Sequence, residues 1–89
     1  MINWKPKAVT DLQTIMSYIA QDNPKAAVEV IDSILGQVDL LENNPHLGRT
    51  GRVKNTRELV ALKNYIVIYR LVDDAAQILR IKHAAQQWP

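Results

Sequence analysis

The spacing of the hydrophobic residues changes once along this chain of 89 residues, near its middle. Over residues 6–21 and again over residues 24–41, apolar residues recur every three or four positions, as one buried face of an α-helix requires. From residue 57 onward they fall into extended runs rich in Val, Ile, Leu and Tyr, which are typical of β-strands. The sequence therefore predicts two helices followed by a sheet.

Turn-forming residues mark the ends of both helices. At the first boundary, Asn23 can accept a hydrogen bond from the free N–H groups of a new helix, and Pro24 suits the first helical position. The run Asn43-Asn44-Pro45 ends the second helix. Because the link between the helices is so short, we expect them to form an antiparallel hairpin.

Three extended segments, residues 57–62, 65–72 and 77–83, are separated by Lys63-Asn64 and by residues 73–76. The middle segment is apolar on both faces, so we expect it to be the central strand. In the last segment, simple alternation places Leu79 and Ile81 on one face and Arg80 and Lys82 on the other.

The prediction is a single α+β domain over residues 1–89. It starts with a short N-terminal strand at Ile2-Asn3-Trp4, which Pro6 interrupts. The antiparallel helical hairpin follows and packs on one face of a three-stranded antiparallel sheet. Residues 46–52, with glycines at 48 and 51, are predicted to be a loop.

Composition excludes several kinds of function. The chain has no cysteine, which rules out disulfides and thiolate chemistry. Neither a metal-ligand spacing, a phosphate-binding glycine loop nor a Ser-His-Asp set can be assembled, so we expect no metal and no cofactor. With no apolar run of about 20 residues and no leader pattern, we expect a cytoplasmic protein that does not bind membranes.

Charge is distributed unevenly along the chain. Residues 1–48 hold three Lys or Arg against six Asp or Glu, a balance of −3, whereas residues 49–89 hold eight against three, a balance of +5. This uneven distribution of charge indicates a charged partner. Basic side chains bind phosphates or acidic protein surfaces. The alternative is that the basic side chains form an ordinary solvated face. The candidate target-binding residues are Arg49, Arg52, Arg57, Arg70, Arg80, Lys82 and, as an aromatic anchor, Trp88. Trp88 could instead pack the C-terminal tail of the chain against the sheet.

His83, at the end of the last predicted strand, could act as a general acid or base near neutral pH. In that case Arg57, Arg80 and Lys82 would hold a phosphate, which gives a candidate catalytic set. The alternative is that His83 is structural or merely exposed.

An ordered set of short segments resembles one family of proteins over nearly the whole chain. The segments are Trp4, Ala8, Asp11-Leu12, Tyr18-Ile19-Ala20, Asn23-Pro24-Lys25-Ala26-Ala27, Asn44-Pro45, Leu47-Gly48-Arg49, Gly51-Arg52-Val53, Thr56-Arg57-Glu58-Leu59-Val60, Tyr65-Ile66-Val67-Ile68-Tyr69-Arg70, Ile78-Leu79-Arg80-Ile81, His83-Ala84-Ala85-Gln86 and Trp88-Pro89. They are similar to those of the RelE/ParE family of small bacterial toxins from type II toxin–antitoxin modules.

The resemblance implies one of two activities. RelE-like members cleave messenger RNA on the ribosome, and an arginine commonly begins their central strand where this chain has Ile66. Characterised ParE-like members mostly poison DNA gyrase. The ending Trp88-Pro89 in place of a catalytic tyrosine also favours the ParE-like branch, and therefore a growth-inhibiting toxin that binds DNA gyrase without performing chemistry. The alternatives are a ribosome-dependent mRNA endoribonuclease and an inactive antitoxin-binding module.

Each of these three hypotheses implies a cognate antitoxin as a partner. Antitoxins of this type wrap their toxins with an extended or helical acidic segment. We therefore expect an apolar groove bordered by arginine to receive it.

Overall fold

The computed structural model describes residues 1–88, which form two α-helices and a five-stranded sheet. In chain order the elements are β1 (Asn3–Trp4), α1 (Pro6–Asp22), α2 (Pro24–Leu40), β2 (Arg49–Thr50), β3 (Arg57–Val60), a 3₁₀ turn (Leu62–Asn64), β4 (Tyr65–Val72) and β5 (Ala75–His83). Within residues 1–88 no helix combines the length and the apolar character that crossing a bilayer requires.

Asn23 both ends α1 and begins α2. Its backbone N–H donates to the carbonyl of Ile19 at 2.9 Å, and its side-chain Oδ1 accepts from the N–H of Ala26 at 3.0 Å. Pro24 follows at the first position of α2, where no donor is needed. The predicted helix boundary and its cap are confirmed.

The strands lie in the order β1-β5-β4-β3-β2, with β1 parallel to β5 and the other neighbours antiparallel. The α+β class and the central position of β4 are as predicted. The structure adds two features: the N-terminal strand joins the same sheet, and Arg49–Thr50 pairs with β3 inside the segment that we predicted to be a loop.

The helices cover one face of the sheet. Directly paired residues on antiparallel strands point to the same face, so Tyr65, Val67 and Tyr69 of β4 share the helix-covered face with their β5 partners His83, Ile81 and Ile78. The side chains of the central core, all buried, are Ala8, Ile15, Val30, Ile34, Val38, Leu41, Leu59, Ala61, Tyr65, Val67, Tyr69, Ala76, Ile78 and Ile81.

A β-bulge in β5 overturns one prediction. Ile68 pairs with Arg80 and Tyr69 pairs with Ile78, which leaves Leu79 as an extra residue without a partner. The extra residue shifts the alternation of side chains by one position. Ile78 and Ile81 are therefore the buried residues, and the expectation that Leu79 shares the face of Ile81 is wrong.

Candidate partner-binding surface

The face of the sheet opposite the helices carries most of the predicted basic residues. One row of paired residues crosses it from β2 to β5, in the order Arg49, Glu58, Ile68 and Arg80. Next to this row, Lys82 pairs with Ile66 on the same face. Arg70 also points to this face, two residues beyond Ile68 on β4. We call Arg49, Arg52, Arg70, Arg80 and Lys82 the cationic face.

A buried carboxylate organises one side of the cationic face. Glu58 is only 3% exposed, yet its Oε2 accepts the backbone N–H of Arg52 at 3.1 Å, and its Oε1 lies 3.4 Å from Nη2 of Arg49. Two hydrogen bonds satisfy a charge that would otherwise be costly to bury. Glu58 thereby fixes the position of Arg52, whose side chain remains exposed.

The loop that carries Arg52 is tightly turned. The N–H of Gly51 donates to the carbonyl of Thr56 at 2.8 Å, and the Thr56 hydroxyl donates to the carbonyl of Val53 at 2.6 Å. A Cβ atom at position 51 would collide with the Thr56 hydroxyl. A glycine is therefore required here by close approach, although its φ angle is an ordinary one.

At the β5 edge of the sheet, the guanidinium of Arg80 reaches Asp11 of α1, which neutralises its charge. Its Oδ2 accepts from Nε of Arg80 at 2.7 Å and from the N–H of Ile81 at 2.9 Å, and its Oδ1 accepts from Nη2 of Arg80 at 2.9 Å. Burial raises the pKa of the Asp11 carboxyl, but these hydrogen bonds and the charges of Arg80 and Lys82 outweigh burial, and the pKa lies below its usual range. The Asp11 hydrogen bond correspondingly raises the pKa of Arg80.

Arg57 lies on the helix-covered face, apart from the other predicted arginines. It pairs with Tyr69 in the sheet, and its Nη1 donates to the carbonyls of Gly48 at 2.8 Å and of His46 at 3.2 Å. Its guanidinium therefore holds the connection between α2 and β2. The sequence could not separate Arg57 from Arg49 and Arg52, because the strand register decides which face each one occupies.

His83 also lies on the helix-covered side, opposite Tyr65. The two rings meet edge to face with centroids 5.1 Å apart, and Nδ1 of His83 accepts the N–H of Ala85 at 3.0 Å. A neutral imidazole that accepts at Nδ1 carries its proton on Nε2. Together with Thr14, Ile15 and Tyr18, these rings line a largely apolar cleft of about 560 Å³.

Trp88 is half-buried at the end of the described chain. Its indole N–H is buried without an acceptor among residues 1–88. Over the same residues, no cluster of three or more His, Asp or Glu side chains is arranged to hold a metal ion.

Sequence reasoning missed Asp11 and Glu58 as organising residues. The sequence around each of these two residues nevertheless indicates an ion pair. Asp11 lies within the apolar stripe of α1, between Ala8 and Ile15, and Glu58 is a single acid among the basic residues of positions 49–57. A lone acid in such a setting indicates an internal ion pair.

Known proteins resemble this chain over nearly its whole length. Residues 2–88 match the family described as the ParE toxin of the type II toxin–antitoxin system parDE. The protein Y4kP of Sinorhizobium fredii is 45% identical over 89 residues, which cover 99% of this chain and 92% of that protein. Toxin RelE2 of Caulobacter vibrioides is 35% identical over 83 residues, covering 93% of both chains.

Solved structures agree with these relationships. The chromosomal ParDE system of P. aeruginosa contains a chain that is 28% identical, with a TM-score of 0.81 over 92% of both chains. The toxin–antitoxin complex RelBE of E. coli shares the fold, with a TM-score of 0.68 at 8% identity over 97% of this chain and 98% of that chain. The RelBE structure is itself a toxin–antitoxin complex, and its likeness to this chain is one of fold. The chain therefore belongs to the ParE/RelE family and is the toxin of a type II toxin–antitoxin system.

Proposed function

We propose that this toxin inhibits bacterial growth by binding DNA gyrase in the cytoplasm through its cationic face, and that it does not cleave RNA. One observation carries the proposal: the four residues that could form a nuclease site are divided between the two faces of the sheet. His83 and Arg57 pair with Tyr65 and Tyr69 on the helix-covered side, whereas Arg80 and Lys82 pair with Ile68 and Ile66 on the opposite side.

This division matters because phosphate cleavage needs its groups within reach of one phosphate. A general acid or base must lie within hydrogen-bond distance of the proton it moves, and cationic groups must be aimed at the same developing charge. Arg80 and Arg57 are also committed to partners inside the chain, Asp11 and the 46–48 connection respectively. Binding without chemistry fits this arrangement better than catalysis.

Binding requires cations that the chain does not already neutralise. Arg49 and Arg80 are paired with Glu58 and Asp11. Among residues 1–88 no ion pair engages Arg52, Arg70 or Lys82, and the Nε of Arg70 donates to the neutral side chain of Gln77. We assign the main electrostatic contacts to these three residues, with Trp88 as an aromatic contact at the tail.

A gyrase supercoiling assay with purified toxin tests the proposal. Wild-type toxin is expected to inhibit supercoiling, and Arg52→Glu combined with Lys82→Glu is expected to raise the inhibitory concentration by roughly tenfold or more, because charge reversal at a complementary interface slows association and weakens binding. Lys7→Glu, an exposed charge reversal on α1, is the matched control. Full supercoiling at a large excess of wild-type toxin contradicts the proposal.

A substitution of His83 distinguishes gyrase inhibition from messenger RNA cleavage. His83→Ala is expected to leave growth inhibition intact. Pulse labelling after induction is expected to show that DNA synthesis stops before protein synthesis. Messenger cleavage in a reconstituted translation reaction, lost on His83→Ala, would establish the ribonuclease instead.

A further inference from the structure

The cleft beside His83 is walled by aromatic rings and contains no charged side chain among the described residues. Its volume of about 560 Å³ is typical of sites for small molecules. Three of its lining residues, Tyr18, Tyr65 and His83, present rings, and the others are apolar or uncharged polar residues. The cleft lies on the helix-covered side of the sheet, so neither the cationic face nor its ion pairs use it.

Tyr65 presents an unused hydroxyl to this cleft. The residue is only 9% exposed, yet within residues 1–88 its hydroxyl makes no hydrogen bond. Over the same residues, the indole N–H of Trp88 is the one buried side-chain group without a partner, so the Tyr65 hydroxyl is not sealed inside the protein and opens into the cleft that it lines. Burial, with a smaller contribution from Tyr18, raises the pKa of Tyr65. The hydroxyl therefore keeps its proton at neutral pH and can donate as well as accept.

His83 adds a donor next to this hydroxyl. Its Nδ1 accepts the N–H of Ala85 at 3.0 Å, so the neutral ring carries its proton on Nε2, and no hydrogen bond within residues 1–88 uses that N–H. Tyr65 and His83 are directly paired across β4 and β5, and their ring centroids are 5.1 Å apart. One small ligand can therefore contact both rings.

The lining of the cleft selects the class of ligand. Aromatic walls pack well against a planar ring. An ionised ligand would lose its hydration without gaining a countercharge. A purely apolar ligand would cover the Tyr65 hydroxyl and the Nε2–H of His83 without offering either a partner, which is costly. The ligand that fits is thus planar, uncharged and equipped with a hydrogen-bond acceptor.

We infer that this cleft binds a small, uncharged heteroaromatic compound, whose ring acceptor takes the Nε2–H of His83 and whose edge hydrogen-bonds to the Tyr65 hydroxyl. The inference goes beyond the proposed gyrase target and does not depend on it. Ala85 and Gln86 also line the cleft, so a bound ligand contacts the start of the tail that carries Trp88 and holds that segment in place.

NMR titration of the purified toxin with three probes tests the inference. Benzimidazole has an N–H donor and a ring acceptor, indole has the same shape without the acceptor, and benzoate is aromatic but charged. Benzimidazole is expected to bind with a Kd below about 1 mM, indole at least about fivefold more weakly, and benzoate at least about tenfold more weakly. The largest amide shifts are expected at Thr14, Ile15, Ala85 and Gln86.

Three results of this titration would overturn the inference: no saturable binding of benzimidazole, equal affinity for benzimidazole and either of the other probes, or amide shifts centred elsewhere on the protein. Neither gyrase nor antitoxin is present in the sample. A failed gyrase assay therefore leaves the result unaffected.

Two substitutions test the polar contacts. Tyr65→Phe removes only the hydroxyl and is expected to weaken benzimidazole binding by about fivefold. His83→Phe keeps a ring but removes the Nε2–H, so benzimidazole and indole are expected to bind this variant about equally. Thr10→Ala, which removes an exposed hydroxyl of α1 outside the cleft, is the matched control and should stay within about twofold. Wild-type behaviour of either cleft variant overturns the inference, and if a variant fails to fold, the comparison of the probes on the wild type still decides.

Discussion

The hydroxyl oxygen of Tyr69 lies 2.8 Å from the backbone nitrogen of Gly48, whose N–H it accepts. The same hydroxyl donates to the carbonyl of Pro45 at 2.9 Å, and the Tyr69 side chain is completely buried. Burial raises the pKa of this phenol, against the opposing effects of Gly48 and Arg57. One side chain of the central strand thus holds the connection between α2 and β2.

Removing this hydroxyl should destabilise the protein. Tyr69→Phe leaves the Gly48 N–H and the Pro45 carbonyl without their partner, so we expect the free energy of unfolding to fall by about 1–3 kcal/mol. Tyr18→Phe is the control: Tyr18 is 70% exposed, and its substitution should change stability by less than about 0.5 kcal/mol. Urea denaturation of both variants measures the difference, and equal stabilities would contradict the structural role of Tyr69.

Two glycines should respond to the same substitution with opposite signs. A Cβ atom at Gly48 would lie 2.7 Å from the ring and the hydroxyl of Tyr69, whereas a Cβ atom at Gly36, in the middle of α2, would meet nothing within 4 Å. We expect Gly36→Ala to stabilise the protein by about 1 kcal/mol, the difference in helix propensity, and Gly48→Ala to destabilise it. Thermal unfolding of the two variants checks the signs, and a stabilising Gly48→Ala would show that the loop can shift freely.

The Asp11 carboxylate should make stability depend on pH in the acid range. Its pKa is lower in the folded protein than its usual value, so its contribution is present above the pKa of the unfolded chain, about 3.9. That contribution is lost as the pH falls through the folded pKa. At neutral pH we expect Asp11→Asn to be less stable than the wild type by about 1–3 kcal/mol.

Denaturation at several pH values measures this effect. The difference in the free energy of unfolding between wild type and Asp11→Asn should narrow below about pH 4, where the Asp11 carboxyl of the unfolded chain becomes protonated first. Asp32→Asn, on the exposed side of α2, is the control and should stay within about 0.5 kcal/mol of the wild type at neutral pH. A gap that persists unchanged into strong acid would mean that the charge of Asp11 contributes nothing.

A substitution in the turn between β4 and β5 should stabilise the protein. Asp73 and Asp74 have φ angles of 52° and 63°, the left-handed conformation of both central residues in a two-residue hairpin turn. Glycine adopts this conformation without a steric penalty. We expect Asp74→Gly to raise stability by about 0.5–1 kcal/mol, which a higher Tm would show; a lower Tm would mean that Asp74 makes a contact worth more than its backbone strain.

Local signals predicted the elements of the fold well. The cap at Asn23, the proline that follows it and the change in hydrophobic spacing are each decided by residues close in sequence, so they could be identified without coordinates. The bulge at Leu79 could not, because an extra residue in one strand leaves no mark in a run of alternating side chains. The parallel pairing of β1 with β5 joins residues more than 70 positions apart, so local sequence patterns could not predict it either.

The candidate site shows the same limit. Sequence identified the basic residues but not their partners, because the bonds from Asp11 to Arg80 and from Glu58 to Arg49 depend on which strands are neighbours. Strand register also separates Arg57 from Arg49, although the two lie eight positions apart. Composition can therefore indicate a charged surface, while register decides which of its charges remain available.

Asp11 also protects one edge of the sheet. Strand β1 stops at Trp4 and leaves the second half of β5 at the border of the sheet, where the Asp11 carboxylate takes up the N–H of Ile81. A helix side chain thus occupies the place of the missing strand and blocks this border against pairing with other chains. A second copy of the chain therefore finds one fewer free N–H for edge-to-edge pairing along β5.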